Sequence, residues 1–143
     1  MRHVGCSSVR TRKWTTLAAV LAVFVVTGCG SSSEGDVKST VTDYANALAN
    51  ADGTKACSLL SSTARAPFDR FGRGQTCATL LSTEAKAQLT PTVKKNLKSL
   101  KVTKVKVNGN TAVATVAIPG RTSTIPLIKE GGKWKIQAPV GTG

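Results

Sequence analysis

An uninterrupted apolar run near the start of the chain constrains what can fold after it. The run, LAAVLAVFVVT, covers residues 17–27, and four basic residues (Arg2, Arg10, Arg12 and Lys13) precede it. A basic start followed by a short apolar stretch is the plan of a secretory signal peptide. As a helix, a run of roughly 11 residues extends about 16 Å, which is well short of the ~30 Å hydrocarbon core of a bilayer. A permanent transmembrane helix is therefore the weaker interpretation.

The apolar run ends in small residues followed by a cysteine, Val26-Thr27-Gly28-Cys29. This order resembles the bacterial lipoprotein signal, in which the cysteine is fatty-acylated, for example with palmitate, and becomes the N-terminus after cleavage. The alternative is an ordinary signal peptide with a chance cysteine at its border. The serine-rich residues 30–35 favour the lipoprotein, because a tether is expected after a lipid anchor.

The lipoprotein resemblance implies a division of the chain into four parts. These are a signal peptide over residues 1–28, the lipidated Cys29 with a flexible tether over 29–35, a folded domain over 36–138 and a short tail over 139–143. Several acyl chains hold a protein stably at a bilayer, whereas one chain does so only marginally. We therefore expect a domain anchored to the cell membrane on its extracytoplasmic face.

Cleavage would change both the size and the charge of the protein. It leaves 115 residues, enough for one domain with a modest core. Four of the 20 Lys and Arg residues leave with the signal, so 16 remain against 7 acids, and the net charge falls from +13 to about +9. The only histidine, His3, also leaves, which excludes Ser-His and Cys-His nucleophiles. The acids show no paired spacing, so we expect no enzyme activity, catalytic residue, metal or cofactor.

Cys57 and Cys77 are the two cysteines that remain beside the lipid site. An even pair in an oxidising compartment predicts a disulfide. The loop it closes, about 20 residues, would stabilise the fold by about 3 kcal/mol. A metal site or a redox pair is the alternative. Two thiols without a histidine are too few ligands for a structural metal, and a redox pair is expected as Cys-x-x-Cys.

The first two-thirds of the chain shows helical patterning with capping residues. Helix starts are predicted at four capping side chains: Asp36, Asp52, Thr76 and Thr90. Pro67 should break the second helix, and residues 68–75 should form an irregular loop pinned by Phe68 and Phe71. The last helix should run over residues 91–100.

The remaining third alternates in the manner of β-strands. Strands are predicted over residues 102–107, 111–118, 122–129 and 133–137, separated by glycine-containing turns. Pro126 should lie at an edge or a bulge, since it cannot donate to the ladder. Helices followed by a four-stranded antiparallel meander predict an α+β domain with the helices on one sheet face.

Several short motifs resemble the cystatin-like or NTF2-like superfamily and, more narrowly, small actinobacterial lipoproteins of that fold. They are residues 43–45 (DYA), 52–53 (DG), 56–60 (ACSLL) and 131–136 (GGKWKI). The resemblance implies a curved four-stranded sheet that wraps around the helices as a cone, often with an apolar pocket inside. Some members are enzymes, and many only bind or scaffold.

Tyr44 and Asp69 are the candidate residues for such a pocket. Tyr44, the sole tyrosine, lies on the buried stripe of the first helix, where a cone could present its hydroxyl to a ligand. Asp69, between Phe68 and Phe71, could line the pocket mouth. The alternatives are a core aromatic for Tyr44 and a solvated loop acid for Asp69.

Six lysines within 13 residues form a candidate patch for an anionic surface: Lys94, Lys95, Lys98, Lys101, Lys104 and Lys106. Nucleic acid is an improbable partner for an exported chain without interleaved aromatics. Anionic lipid or a charged wall polymer fits better, and each lysine near a membrane surface contributes about 1 kcal/mol. An evenly solvated lysine surface is the alternative.

The favoured function is a non-enzymatic domain that binds or scaffolds an envelope protein, a polymer or a small apolar ligand. The alternative is a small enzyme or hydrophobic-ligand carrier that uses a cone pocket with Tyr44 at its wall.

Replacing Cys29 with serine tests the anchor. Because serine lacks the thiol that would carry the acyl chain, Cys29→Ser should leave uncleaved precursor or shed protein in place of the processed, membrane-bound form. Membrane fractionation with mass analysis of the N-terminus measures both effects, and unchanged processing and retention would refute lipidation.

Overall fold

The computed structural model describes residues 30–137 of the chain. Five helices precede four strands: α1 (Gly30–Ala49), α2 (Gly53–Leu59), α3 (Ser62–Phe71), α4 (Cys77–Gln88), α5 (Pro91–Lys98), β1 (Lys101–Asn108), β2 (Thr111–Ile118), β3 (Arg121–Glu130) and β4 (Lys133–Ile136). The strands form one antiparallel sheet in the order β1-β2-β3-β4. The predicted α+β class is therefore confirmed. The signal peptide, Cys29 and the tail lie outside the described residues, and what we expect of them stays a prediction.

Helix α1 begins earlier than the sequence led us to expect. Asp36 lies inside the helix and does not cap it, and residues 30–35, predicted as part of a flexible tether, are helical. The predicted helix start is thus wrong. The stretch before Asp36 contains no proline, so the helix can propagate back through it once the later turns have formed and packed.

Helices α2 and α4 are fixed to each other at two points. Gly53 lies so close to α4 that an added Cβ would stand 1.9 Å from the carbonyl oxygen of Ala78, and its amide donates to Ser82 Oγ at 3.0 Å. The predicted disulfide joins Cys57 of α2 to Cys77 of α4 across a separation of 20 residues. Closing a loop of that length stabilises the fold by about 3 kcal/mol through the unfolded chain.

Helix α3 was not predicted as a separate element. Ser61 caps it by accepting from the amide of Ala64 at 3.1 Å, and Pro67 lies within it. The predicted break at Pro67 is wrong, and residues 68–71 are helical where a loop was predicted. Pro67 and Thr63 are both exposed, so the Thr63 carbonyl, which receives no N–H from Pro67, can bond to water. Residues 72–75 do lie in a loop, as predicted. Phe71 is 79 % exposed and pins nothing, whereas Phe68 packs partly against the core.

The other helix starts and the strands follow the prediction closely. The side chains of Asp52, Thr76 and Thr90 each accept a hydrogen bond from an amide in the first turn of the following helix. Each strand matches its predicted span to within one residue at each end. Local capping and alternation therefore determine most of these boundaries.

Pro126 lies in β3, an inner strand of the sheet, and not at the edge or bulge that the sequence predicts. It pairs with Val113 of β2, and its carbonyl accepts from the amide of Gln137 at 2.9 Å, just past the end of β4. In an antiparallel ladder, the N–H and C=O of one residue point to the same side. The side of Pro126 that lacks an N–H therefore faces Gln137, which lies past the last residue of β4. No hydrogen bond of the β3–β4 ladder is lost there.

The outer edge of β4 is covered by the connection between α2 and α3. Leu60 forms a parallel bridge to Ile136, and the amide of Ser61 donates to the carbonyl of Ile136 at 2.8 Å. The amide and hydroxyl of Ser62 donate to the carboxylate of Glu130 at 2.9–3.2 Å. A carboxylate at the N-terminus of α3 also complements the helix dipole.

The helices cover one face of the sheet. Ala112, Ala114 and Val116 alternate along β2 and are buried, while the residues between them are half-buried or exposed. Helix α1 contacts β1, β2 and β4 and buries Val37 and Tyr44. We call the buried side of the sheet the core face and the opposite side the outer face.

Candidate functional site

Tyr44 lies in the core and not on the wall of an open pocket. It is 1 % exposed and belongs to the cluster that includes Val41, Leu60, Ile125 and Trp134. Burial removes the phenol from water and raises the pKa of Tyr44 from 10.0 to about 12. The position matches the core-aromatic alternative.

Asp69 lies elsewhere, on the exposed side of α3. It borders a shallow depression together with Arg65, Thr76 and the Cys57–Cys77 disulfide. Tyr44 is not among the residues that line this depression. The two residues that we predicted for one pocket are therefore not brought together in a shared cavity.

The charges of the domain separate along the chain. Residues 30–89, which form α1 to α4, contain six Lys and Arg and six Asp and Glu. Residues 90–137, which form α5 and the sheet, contain ten Lys and Arg and one acid, Glu130. The whole net charge of +9 thus belongs to the part of the domain formed by α5 and the sheet.

The six lysines of the predicted patch fall into two groups. Lys94, Lys95 and Lys98 are exposed on α5, which lies on the core side of the sheet, since it borders a groove with Val116 of the core face. The lysines of β1, namely Lys101, Lys104 and Lys106, project from the outer face. A bulge between Val102 and Lys104 adds one residue to β1, and as a result Lys104 and Lys106 lie on the same face as Lys101.

The outer face is an apolar and threonine-rich surface between three lysines of β1 and two lysines of β4. Its cross-strand rows are Lys101-Ala117-Thr122, Lys104-Thr115-Thr124, Lys106-Val113-Pro126 and Thr111-Ile128-Lys135, with Lys133 beside Glu130 at one end. Val113 is 43 % exposed at the centre of this surface. The Lys135 ammonium donates to the carbonyl of Ser58 at the end of α2, whereas Lys133 is exposed.

A second surface feature is a groove of about 190 Å³ between α5 and the ends of β2 and β3. Its walls are mostly apolar, formed by Val93, Leu97, Leu100, Val116 and Ile118. Three polar side chains complete the lining: Asn96, Arg121 and Ser123. This groove is not predictable from the sequence, because its residues come from α5, β2, β3 and the positions next to them, which only the fold brings together.

The acids do not converge on a reaction centre in the described part of the chain. Glu130 is committed to Ser62, and Asp43 lies 3.9 Å from Lys55 in an exposed ion pair. Within residues 30–137, no three Cys, Asp or Glu side chains group as a metal site would require.

None of the helices described here has both the length and the apolar character needed to cross a bilayer.

Comparison with known proteins gives one structural similarity. No family model and no curated protein matches the chain. A crystal structure from Campylobacter jejuni, of a protein described as an NTF2-like transpeptidase, is similar with a TM-score of 0.43 and 13 % sequence identity. The match covers 76 % of this chain and 100 % of that chain. At so low a TM-score, the similarity establishes neither the superfamily nor an activity for this chain.

The buried phenol of Tyr44 predicts a specific loss of stability in alkali. Because the pKa of Tyr44 is raised, the neutral buried phenol contributes fully to the free energy of unfolding below pH 10, and this contribution is lost as the pH rises through about 12. Between pH 8 and pH 11, the free energy of unfolding should fall by about 1 kcal/mol more in the wild type than in Tyr44→Phe. Denaturant titrations at the two pH values measure this difference.

The phenylalanine variant is the control for alkaline effects on the many lysines. Because Tyr44 is the only tyrosine, the absorbance of its phenolate also gives its pKa directly. A midpoint near 10 in the folded protein would contradict the buried position.

Proposed function

We propose that the chain is a membrane-anchored, extracytoplasmic lipoprotein whose domain is a non-enzymatic binding or scaffolding module for an anionic partner in the cell envelope. The cystatin-like or NTF2-like assignment and the actinobacterial lipoprotein type belong to this proposal. The anchor is supported by the apolar run and by the residues that end it at Cys29.

The separation of charge is the observation that carries the binding role. An evenly solvated surface would distribute lysines over both halves of the domain, but α1 to α4 have no net charge and α5 with the sheet carries all of it. A field of one sign on one part of a protein attracts and orients a partner of the opposite sign. Anionic lipids and wall polymers are such partners outside the cytoplasm.

The positions of the polar residues support a binding role over catalysis. Tyr44, the strongest candidate for chemistry, is enclosed by the core, and the histidine of the chain precedes the predicted cleavage site. The acids Asp43, Asp69 and Glu130 lie on three different elements without a common cavity among those described.

Charge reversal on each half of the domain tests the proposal. In a soluble form that starts at Gly30, Lys95→Glu with Lys104→Glu and Lys106→Glu should weaken binding to anionic vesicles by about 100-fold or more, since each lysine near the surface contributes about 1 kcal/mol. The three sites include both α5 and β1, so the result does not depend on which of the two groups makes the contact. Sedimentation with vesicles at increasing salt measures the affinity and its ionic component.

The matched control carries the same change of charge on the other half. Lys38→Glu with Lys55→Glu and Lys86→Glu alters α1, α2 and α4, and it should leave most of the binding intact. Equal losses in the two triple variants would show that only the total charge matters and would remove the support for a directed binding surface.

The groove beside Arg121 favours a second candidate function, a carrier for a small hydrophobic ligand with an anionic group. Apolar walls would hold an aliphatic chain, and the guanidinium would pair with a carboxylate at the rim. This site differs from the predicted cone pocket, because Tyr44 is not among its lining residues. Its volume of about 190 Å³ is below the roughly 300–1,000 Å³ usual for ligand sites, which makes it the weaker candidate.

Titration with a medium-chain fatty acid tests the carrier function. Arg121→Gln should weaken binding by about tenfold or more, because a hydrogen bond to a charged group is worth about 1.5–3 kcal/mol. Calorimetry measures the affinity. Arg73→Gln is the control, since Arg73 lies on an exposed turn and is not among the residues that line the groove. The uncharged methyl ester should not distinguish the variants. Absence of saturable binding to the wild type would remove this candidate.

A further inference from the structure

The outer face of the sheet combines two properties that a surface made only for solubility does not need. A column of three lysines on β1 lies at one side of the face, and Lys133 of β4 lies at the other, about 15 Å away across four strands. Lys135 of β4 is not counted, because its ammonium donates to the carbonyl of Ser58. Between them lie Val113, Ala117, Pro126 and Ile128, whose side chains are half-buried or exposed. The face is therefore amphipathic across the strands and not merely basic.

Four threonines complete this face: Thr111, Thr115, Thr122 and Thr124. The register places them on the same side of the sheet as Val113 and the lysines. Hydroxyl groups can donate to phosphate oxygens, and lysine ammonium groups pair with phosphate charge. The polar groups of the face thus suit an array of phosphates, while the apolar side chains suit the region just beneath them.

We propose that the outer face is the surface by which the anchored domain lies on a bilayer of anionic phospholipid. The lysine column of β1 and Lys133 of β4 contact head-group phosphates, and the central strip around Val113 and Ile128 enters the boundary between head groups and acyl chains. This inference rests on the proposed lipid anchor, and it adds the contact surface and the chemical class of the partner.

The charges on the face argue for a membrane over the other possible occupants. A second copy of the domain, related by a two-fold axis, would bring the lysines of one outer face against those of the other, because a two-fold interface places the same patch on both subunits. The only acid on this face, Glu130, is already bonded to Ser62. A hydrophilic wall polymer would match the lysines but would leave the strip around Val113 uncovered.

The α5 group of lysines does not share this geometry. Lys94, Lys95 and Lys98 lie on the core side of the sheet, away from the strip of the outer face. Their charge adds to the field that attracts the domain, but the outer face makes the contact. In this arrangement the bilayer covers the lysines of the outer face and leaves those of α5 uncovered.

Lysine acylation of the native lipidated protein, reconstituted into vesicles, tests the contact surface. We compare vesicles of phosphatidylcholine alone with vesicles of phosphatidylcholine and phosphatidylglycerol in equal parts, using mass spectrometry to measure the rate at each lysine. Rates at Lys101, Lys104, Lys106 and Lys133 should fall about fivefold in the anionic vesicles, the ratio that corresponds to the attraction of one lysine to such a surface. High salt should restore them.

Lysines on the helical half are the internal reference. Lys55 and Lys86 should react equally in both kinds of vesicle. Val113→Asp should abolish the slowing at the outer face, while Phe71→Asp, which adds the same charge at an exposed aromatic of α3, should not. The wild-type rates test the contact even if Val113→Asp fails to fold.

The remaining outcomes identify what is wrong. Protein that does not float with the vesicles contradicts the lipid anchor, whereas protein that floats without selective slowing contradicts only the docking surface. Slowing confined to Lys94, Lys95 and Lys98 would assign the contact to α5. If the outer-face lysines react more slowly than Lys55 and Lys86 in both kinds of vesicle alike, a second copy or another segment of the chain covers the face. If their rates fall only after polyglycerol phosphate is added, the partner is a wall polymer. Each of these results overturns the proposal.

Discussion

The packing of α1 against the core face of the sheet is the contact on which the other features depend. Val37, Val41 and Tyr44 lie on one stripe of α1 and are almost completely buried. Among the strands that α1 contacts, β2 presents the small residues Ala112 and Ala114, and small side chains on a strand leave room for a long helix to approach. The free energy gained scales with the apolar area removed from water, so a shift in the register of either element would expose its apolar side chains.

Covering one sheet face with helices determines where the lysines can lie. Strand residues alternate apart from the bulge after Val102, so β1, which packs Val102, Val105 and Val107 partly buried against the core, directs the side chains between them to the outer face. On that face the charges of Lys104 and Lys106 remain hydrated. The basic face is a consequence of the same alternation that builds the core.

Three contacts between elements stabilise the helical half of the domain beside the sheet. The disulfide and the close approach at Gly53 join α2 to α4, and the Glu130 carboxylate joins the end of β3 to the start of α3. The disulfide contributes about 3 kcal/mol, and a capping and dipole interaction such as that of Glu130 contributes roughly 0.5–2 kcal/mol. For a domain of this size, such contributions are a substantial share of the total stability.

Local rules in the sequence determined the strand spans, the capping residues Asp52, Thr76 and Thr90, and the pairing of Cys57 with Cys77, because each depends on neighbours in the chain or on a simple count. Local rules failed at Asp36 and Pro67, where helices continued because packing or solvent satisfied the backbone. Only the tertiary structure decided that Tyr44 is enclosed, that Asp69 lies apart from it, that Arg121 borders a groove and that six neighbouring lysines divide between two sides of the sheet. The reason is physical: a sequence shows which residues are adjacent along the chain, but the side on which each one faces a partner or water is set by how helices and strands from distant positions pack together.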